Sequence, residues 1–547
     1  MPDVLSRPVR TPSAGVSRFI QDEAVLLGGA RIVFGLLSVG VFALATVFAS
    51  IWLTLPGRWD HPFAYVTVTL VLGYLIAVWF TTWFGFERMQ RPVKLEPESG
   101  LRVAVVTTFV PRAEPIAMLE LTLGAMAEVR YPHDIWVLDE GDDPSVRALC
   151  ARLGVRHFSR LGNARYETES GPFARGTKYG NYNAWLTEIG YDAYDVLASF
   201  DPDHVPEPDY LERTLGYLRD PQVGFVQSPQ VYYNQDASLI ARGAAEESYA
   251  YYSAVQMANY SFGEPTVTGS HTVHRIGALR AVEGFPAHDA EDIYLTMLYR
   301  GAHWRGIYVP EILALGTTPV DWMTYLNQQK RWARALFDLK LRVYPKLHAR
   351  LSPTERILAL VHGTYFLRSL VMLPIYPLVL FILVSNHRPS FLGAQALFSM
   401  AGLSLVMMVL DRFRQRYFLD PRREGGLHWR SGLLQFAKWP YFVVALWEAL
   451  RGWHGAYTVT PKTVGAPRRG AVLVPQIVLA AGLCIAAAIG VARHGPLWPS
   501  VVAVAAVFFG ISFGLAWSEL LWYPPPFEPI RHARRRMELA EIFERRR

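Results

Sequence analysis

The sequence predicts an α/β domain with a mostly parallel sheet, inserted into a bundle of membrane-spanning helices. Three observations carry this: six long apolar runs, a polar region over 95–350 between the second and third of them, and short β-branched runs alternating with helix-like stretches inside that region. A chain of 547 residues has room for two to four folding units and a sizeable core. Its composition agrees, with 51% hydrophobic and only 18% charged residues, against about 25% charged in ordinary soluble domains.

A helix needs about 20 apolar residues to cross the hydrocarbon core. Runs 32–55, 63–86, 391–411 and 497–522 meet this directly, and 471–492 and a stretch within 357–384 complete the set. The last contains Arg368, Pro374 and Pro377, so its first part reads as an interfacial or snorkelling entry and its second part as the span. Buried helices of a soluble protein would be the alternative, but six such runs, several bounded by arginines, argue against it.

Basic residues orient the bundle, because cytoplasmic loops carry the excess of Lys and Arg. Arg7, Arg10, Arg18 and Arg31 precede the first span, and Arg88, Arg91 and Lys94 follow the second, whereas the short loop between them holds only Arg58. The large domain is therefore expected in the cytoplasm. Segment 431–451 decides the rest. If it crossed the membrane, Lys462, Arg468, Arg469 and the seven arginines of the tail would lie outside. Lys438, Pro440, Glu448 and Arg451 interrupt its hydrophobicity, which suits a helix lying in the interface. Both termini are then inside, and the net charge of +7 is accounted for by the lipid boundary without nucleic acid.

The resulting division is a cytoplasmic segment 1–31, two spans and a connector 32–94, the α/β domain with interfacial helices 95–350, two spans and a basic loop 351–430, an interfacial helix 431–451, a loop 452–470, two spans 471–522 and a basic tail 523–547. The N-terminal residues lack the layout of a cleavable leader, so a retained first span is expected. Cys150 and Cys484 support neither a disulfide framework nor a thiolate metal site.

Within 95–350, strands are expected at LRVAVVTTFV, DIWVLDEGDDP and YDVLASFDPDHVP. Ligands of parallel α/β sheets gather at the carboxyl ends of the strands, and two of these strands end in acidic clusters, Asp139-Glu140 and Asp201-Pro202-Asp203. No Walker A sequence and no Gly-x-Gly-x-x-Gly is present. Two carboxylates one residue apart could share a divalent cation that bridges a diphosphate, although such a pair is common in loops. Asp292 opens a helix in HDAEDIYLTMLYRG, where it is either a cap or a general base. Gln328, Arg331 and Trp332 share one helix face. There an arginine clamps phosphate and an indole carries a sugar ring, or the helix simply lies on the membrane surface.

Taken in order, Asp139, Asp201-x-Asp203, Ala290-Glu291-Asp292 and Gln328-x-x-Arg331-Trp332 resemble the processive family 2 glycosyltransferases of the cellulose synthase type, over roughly residues 30–525. Lys178-Tyr179-Gly180-Asn181-Tyr182-Asn183 is similar to that family's Lys-x-Gly-Asn-x-Asn segment, and Tyr457-Thr458-Val459-Thr460-Pro461-Lys462 to its gating loop. The resemblance implies a GT-A-like domain with a Rossmann-like sheet. It implies that Asp139 reads uracil, Lys178 supports the nucleotide, and Asp201 with Asp203 binds magnesium or manganese. Asp292 would be the base, Arg331 with Gln328 would hold the diphosphate, and Trp332 would floor the acceptor site. Tyr457, Val459, Thr460 and Lys462 would close over bound UDP. Gly269, Ser270 and His271 resemble the family's acceptor floor with histidine in place of cysteine; His271 reads equally as a structural histidine.

Several departures stand beside the match. The first strand ends TTFVPRAEP, longer than the family turn, so Thr108 and Glu114 are nucleotide contacts only by position. Glu140 stands where a second aspartate is usual, Ala290 replaces a threonine, and no cyclic-di-GMP-binding domain is expected after residue 522. The expected activity is inverting transfer of glucosyl units from UDP-glucose to a growing β-glucan, with translocation through a channel that Tyr441, Trp447, Trp453 and Trp517 would line. The alternatives are a synthase of β-1,3-glucan, mannan or an amino-sugar polymer, a single transfer to a lipid, and, from another class, a transporter with a regulatory cytoplasmic domain. Expected partners are the UDP-sugar donor, the polysaccharide acceptor, the bilayer and an export partner at the far face, with no nucleic acid.

Overall fold

The computed structural model describes residues 20–111, 113–361, 364–453 and 472–521. Six of its helices are long and apolar enough to cross a membrane: Gly28–Thr54, Pro62–Glu87, Phe366–Ser385, Ala394–Tyr417, Val474–His494 and Pro499–Ser518. They coincide with the six apolar runs to within a few residues, except that the third begins at Phe366, after a separate short helix, Pro353–Val361. Polar side chains join the first two spans. Trp83 donates to Ser38 Oγ at 2.7 Å and Trp52 to Thr69 Oγ1 at 2.9 Å, so each indole N–H finds a partner away from water.

Between the second and third spans lies a seven-stranded sheet. Its strands are β1 (Val103–Phe109), β2 (Asp134–Asp139), β3 (Arg156–Phe158), β4 (Val196–Phe200), β5 (Val223–Gln227), β6 (Thr272–Arg275) and β7 (Arg305–Tyr308), in the order β7-β5-β6-β4-β1-β2-β3. All neighbouring pairs are parallel except those made by β6, which runs against both β4 and β5. β1, β4 and β5 are apolar almost throughout and buried on both faces, as continuous runs of Val, Ala and Phe require. Register then assembles an edge. Phe109 pairs with Asp139 and Thr107 with Phe200, so Thr108, Asp139 and Asp201 stand at the same carboxyl end. Because β6 is reversed and Thr272 pairs with Ser199, the residues just before it, 269–271, meet that edge as well.

Five helices position the site: α1 (Lys178–Trp185), α2 (Leu239–Ala250), α3 (Glu291–Gly301), α4 (Trp322–Asp338) and α5 (Trp429–Arg451). Helix α5 covers 431–451 and packs along α4. Its Pro440 has no N–H to give to the carbonyl of Phe436. Gln476, fully buried at the start of the fifth apolar helix, donates to the carbonyls of Phe436 and Ala437 at 3.4 and 3.2 Å and so relieves the break.

Candidate active site

The Asp-Pro-Asp turn leaves β4 at the sheet edge. Asp201 is one third exposed, whereas Asp203 is buried and accepts from the Thr317 hydroxyl. Ser270 holds the turn in place. Its Oγ accepts the Asp201 N–H at 3.0 Å and lies 2.7 Å from His204 Nδ1. One ligand atom from each of Asp201, Asp203 and His204 falls within 4.8 Å of the others. Two carboxylates and an imidazole form a donor set suited to a divalent cation, which makes His204 a candidate site residue that the sequence reading passed over. It was legible only as the next letter of Asp-Pro-Asp-His.

Lys178 opens α1, whose first turn is capped by the Thr177 hydroxyl accepting from Gly180 N–H at 3.1 Å. Its ammonium donates to Asp201 Oδ1 at 2.5 Å and to the Gly269 carbonyl at 2.7 Å. Burial opposes both charges, but each holds the other ionised. The Lys178 pKa stays above the ordinary lysine value, and that of Asp201 falls below the carboxylate range. The two asparagines of this segment are clamps. Asn181 donates to the Leu138 carbonyl at 3.1 Å, one residue before Asp139, and Asn183 exchanges hydrogen bonds with Phe285 at 2.8 Å in both directions. They therefore tie the lysine helix to β2 on one side and to the approach of α3 on the other.

Asp292 lies in the first turn of α3, against Gly269. A Cβ on that glycine would stand 3.4 Å from Asp292 Oδ2, and Gly269 adopts φ +79°, which a side chain disfavours. Asp292 Oδ1 accepts from the Ile293 N–H at 2.7 Å. Burial raises the Asp292 pKa, with Asp201 adding to it, and burial beside Asp292 lifts Glu291 to about 8. Glu291 was not singled out as a functional residue from sequence, because its neighbour carries the family resemblance.

Helix α4 approaches through the loop before α3. Arg334 pairs with Asp289 at 2.8 Å and His288 lies 3.2 Å from Asp338. Arg331, Arg334 and Asp338 follow one another at helical spacing along this stripe, while Trp332 is 41% exposed beside it. The same helix carries Gln328, which is half-buried.

Asp139 is fully buried and its carboxylate serves its own turn, accepting from Gly141 N–H at 2.9 Å and Asp143 N–H at 2.6 Å, with His157 at 3.2 Å. Glu114 accepts from Val110 N–H at 2.8 Å and closes the loop after β1. Glu140 pairs with buried Arg160 at 2.8 Å, which gathers the carbonyls of Tyr166, Phe173 and Ala174. His271 faces inward. It lies 2.8 Å from the Pro229 carbonyl through Nδ1, its ring is 4.5 Å from that of His204, and burial drops its pKa to about 3. The imidazole is thus neutral, with its proton on Nδ1. Tyr457, Val459, Thr460 and Lys462 lie outside the described residues.

The family model described as glycosyl transferase family group 2 matches residues 197–413. A cellulose synthase catalytic subunit [UDP-forming] of Xanthomonas axonopodis pv. citri is 27% identical over 314 residues, 55% of this chain and 40% of that protein. A putative cellulose synthase 2 of Komagataeibacter xylinus is 26% identical over 454 residues, 80% of this chain and 28% of its own length. A probable glucomannan 4-beta-mannosyltransferase 3 of Oryza sativa subsp. japonica is 28% identical over 304 residues, 52% of this chain and 53% of that protein. Among solved structures, a mannosyltransferase from Pyrobaculum calidifontis in complex with GDP-Man and Mn2+ superposes with a TM-score of 0.51 at 15% identity, covering 72% of this chain and all of that one, which shows a shared GT-A-like fold. Residues 197–413 thus match a family group 2 glycosyltransferase, the chain is similar to cellulose synthases over half or more of its length, and six of its described helices are long and apolar enough to cross a membrane. It spans about two fifths of the length of the first cellulose synthase subunit it matches.

Proposed function

We propose that this chain is a processive, inverting enzyme that adds glucosyl units from UDP-glucose to a growing β-glucan and passes the product through its own helices. The observation that carries the reading is the meeting of Lys178, Asp201, Asp203, Gly269 and Asp292 at one sheet edge, although they come from stretches up to about a hundred residues apart in the chain. Asp201, Asp203 and His204 would hold magnesium or manganese, and the ion, when bound, offsets the negative charge gathering on the departing nucleoside diphosphate. Lys178 keeps Asp201 ionised and oriented. Asp292, its pKa raised by burial, takes the proton of the acceptor hydroxyl through Oδ2, since Oδ1 is engaged by the helix backbone. Arg331 and Gln328 would steady the diphosphate, Trp332 would stack on the acceptor sugar, and Asp139, Thr108 and Glu114 would border the nucleotide. The gating loop, 452–470, would close over it.

The distribution of basic residues supports a cell-membrane enzyme with the 95–350 domain and both termini in the cytoplasm, and an export partner on the opposite face. A mannosyl donor is the second reading, favoured by the mannosyltransferase among the relatives. Membrane vesicles given labelled UDP-glucose, other UDP-sugars or GDP-mannose, with magnesium or manganese, test both readings once the product is sized and digested with linkage-specific hydrolases. A long product from UDP-glucose cleaved by a β-glucanase is expected. Exclusive transfer from GDP-mannose would select the second reading, and single-sugar lipid products would overturn processivity.

A further inference from the structure

The most demanding polar feature outside the site is a buried charge pair where α2, α4 and α5 meet. Lys438, on α5, has no exposed surface, and its ammonium lies 2.7 Å from Glu247 Oε1, 3.1 Å from the Tyr325 hydroxyl and 3.4 Å from Gln329 Oε1. Glu247, on α2, is itself 7% exposed. Its second oxygen accepts from Tyr325 at 2.7 Å, and Oε1 also accepts from Gln435 at 3.2 Å. The oxygen of Gln435 in turn accepts from the Ser369 hydroxyl, on the third apolar helix, at 2.7 Å. One carboxylate therefore gathers groups from α4 and α5 directly and from a membrane helix through one intermediary.

Removing two charges from water costs more than the pair returns unless the geometry is well satisfied, so an apolar contact here would hold the helices at least as firmly. What a pair of this kind adds is a defined register. Tyr325 and Gln329 lie one and two turns along the helix that carries Gln328, Arg331 and Trp332, and a second pair, Lys330 with Glu448 at 2.6 Å, joins the same two helices further on. We infer that the Glu247–Lys438 pair is the positioning element that sets α4, and with it Arg331 and Trp332, in register with the interfacial helix α5 and the third apolar helix. The pair bonds to Tyr325 and Gln329 on the helix that carries Arg331 and Trp332, so it acts on the acceptor side. The inference rests on the glycosyltransferase reading above.

The test uses the full-length enzyme in nanodiscs with labelled UDP-glucose, measuring transfer to glucan and transfer to water separately. Glu247→Gln and Lys438→Met each leave a buried group without its partner. Each is expected to raise the ratio of hydrolysis to polymer transfer about tenfold or more, the scale of a misplaced acceptor, with the donor KM unchanged. The double variant Glu247→Met/Lys438→Met contains no unpaired charge and should be more thermally stable than either single variant while remaining uncoupled. A purely structural pair would give the opposite result: stability and coupling restored together, or hydrolysis and transfer lost in equal proportion by the single variants. Either outcome overturns the inference. Failure of the wild-type enzyme to turn over any sugar nucleotide would instead fail the underlying functional reading.

Discussion

Gly269→Ala separates backbone strain from chemistry at the site, because a matched control exists in the same chain. Gly269 and Gly263 adopt nearly the same conformation, φ +79° and +77°. A methyl group on Gly263 meets nothing within 4 Å, whereas one on Gly269 rests 3.4 Å from Asp292 Oδ2. Left-handed backbone costs an L-residue about 1–2 kcal/mol, so both alanine variants should lose about that much stability. Only Gly269→Ala also sets a methyl group in van der Waals contact with the oxygen assigned to the acceptor proton. The methyl takes room that the acceptor hydroxyl needs beside Oδ2, and an acceptor held off by on the order of 1 Å should slow transfer by about tenfold to a hundredfold. Gly263→Ala should transfer at close to the wild-type rate. Thermal unfolding in nanodiscs and initial rates with labelled UDP-glucose give the two quantities independently. Equal losses of rate in the two variants would refute the assignment of Oδ2 to the acceptor proton.

Further expectations follow from the same geometry. Asp292→Asn should lower the rate of transfer by about 10²–10⁴-fold, the usual contribution of a general base, while titration calorimetry finds UDP binding intact. Asp203→Ala should remove the metal dependence of UDP affinity, and chelation of the wild-type enzyme should weaken UDP binding to the same level; an unchanged affinity in either case speaks against the cation site. Glu291 keeps its proton up to about 8 in the folded protein against 4.5 in the free side chain. Its favourable contribution is therefore whole below about 4.5 and is lost as pH rises through about 8. Glu291→Gln, which cannot ionise, should gain thermal stability relative to wild type as pH is raised from about 5 to about 9, a shift that a pH series of melting curves would detect.

Much of this arrangement was legible in the residues. The six apolar runs predicted the six long helices because hydrocarbon length demands about 20 apolar residues whatever the neighbours are. Pro440, Lys438 and Glu448 marked 431–451 as different from a span, and it forms one helix packed on α4. Asp201, Asp203, Lys178 and Asp292 stand out as candidates because each sits in a short run whose chemistry is local: a strand end, a helix start, a capping turn. The resemblance to a known family supplied their grouping. Asp139 shows the limit of such reading. Its position after a strand was legible, but the commitment of both its oxygens to Gly141 and Asp143 was not, since a turn's hydrogen bonds follow from its path and not from its letters.

By itself, then, the sequence determined which segments are apolar enough to cross a membrane, which strands end in carboxylates, and which residue types stand ready for metal and proton chemistry. These are properties of single segments. The reversal of β6, which carries Gly269 and Ser270 to Asp201, and the burial of Lys438 against Glu247 were decided only by the tertiary structure. Both depend on residues from 68 to 191 positions apart meeting in one place. Such meetings are set by how whole elements pack, and no local window of sequence carries that information.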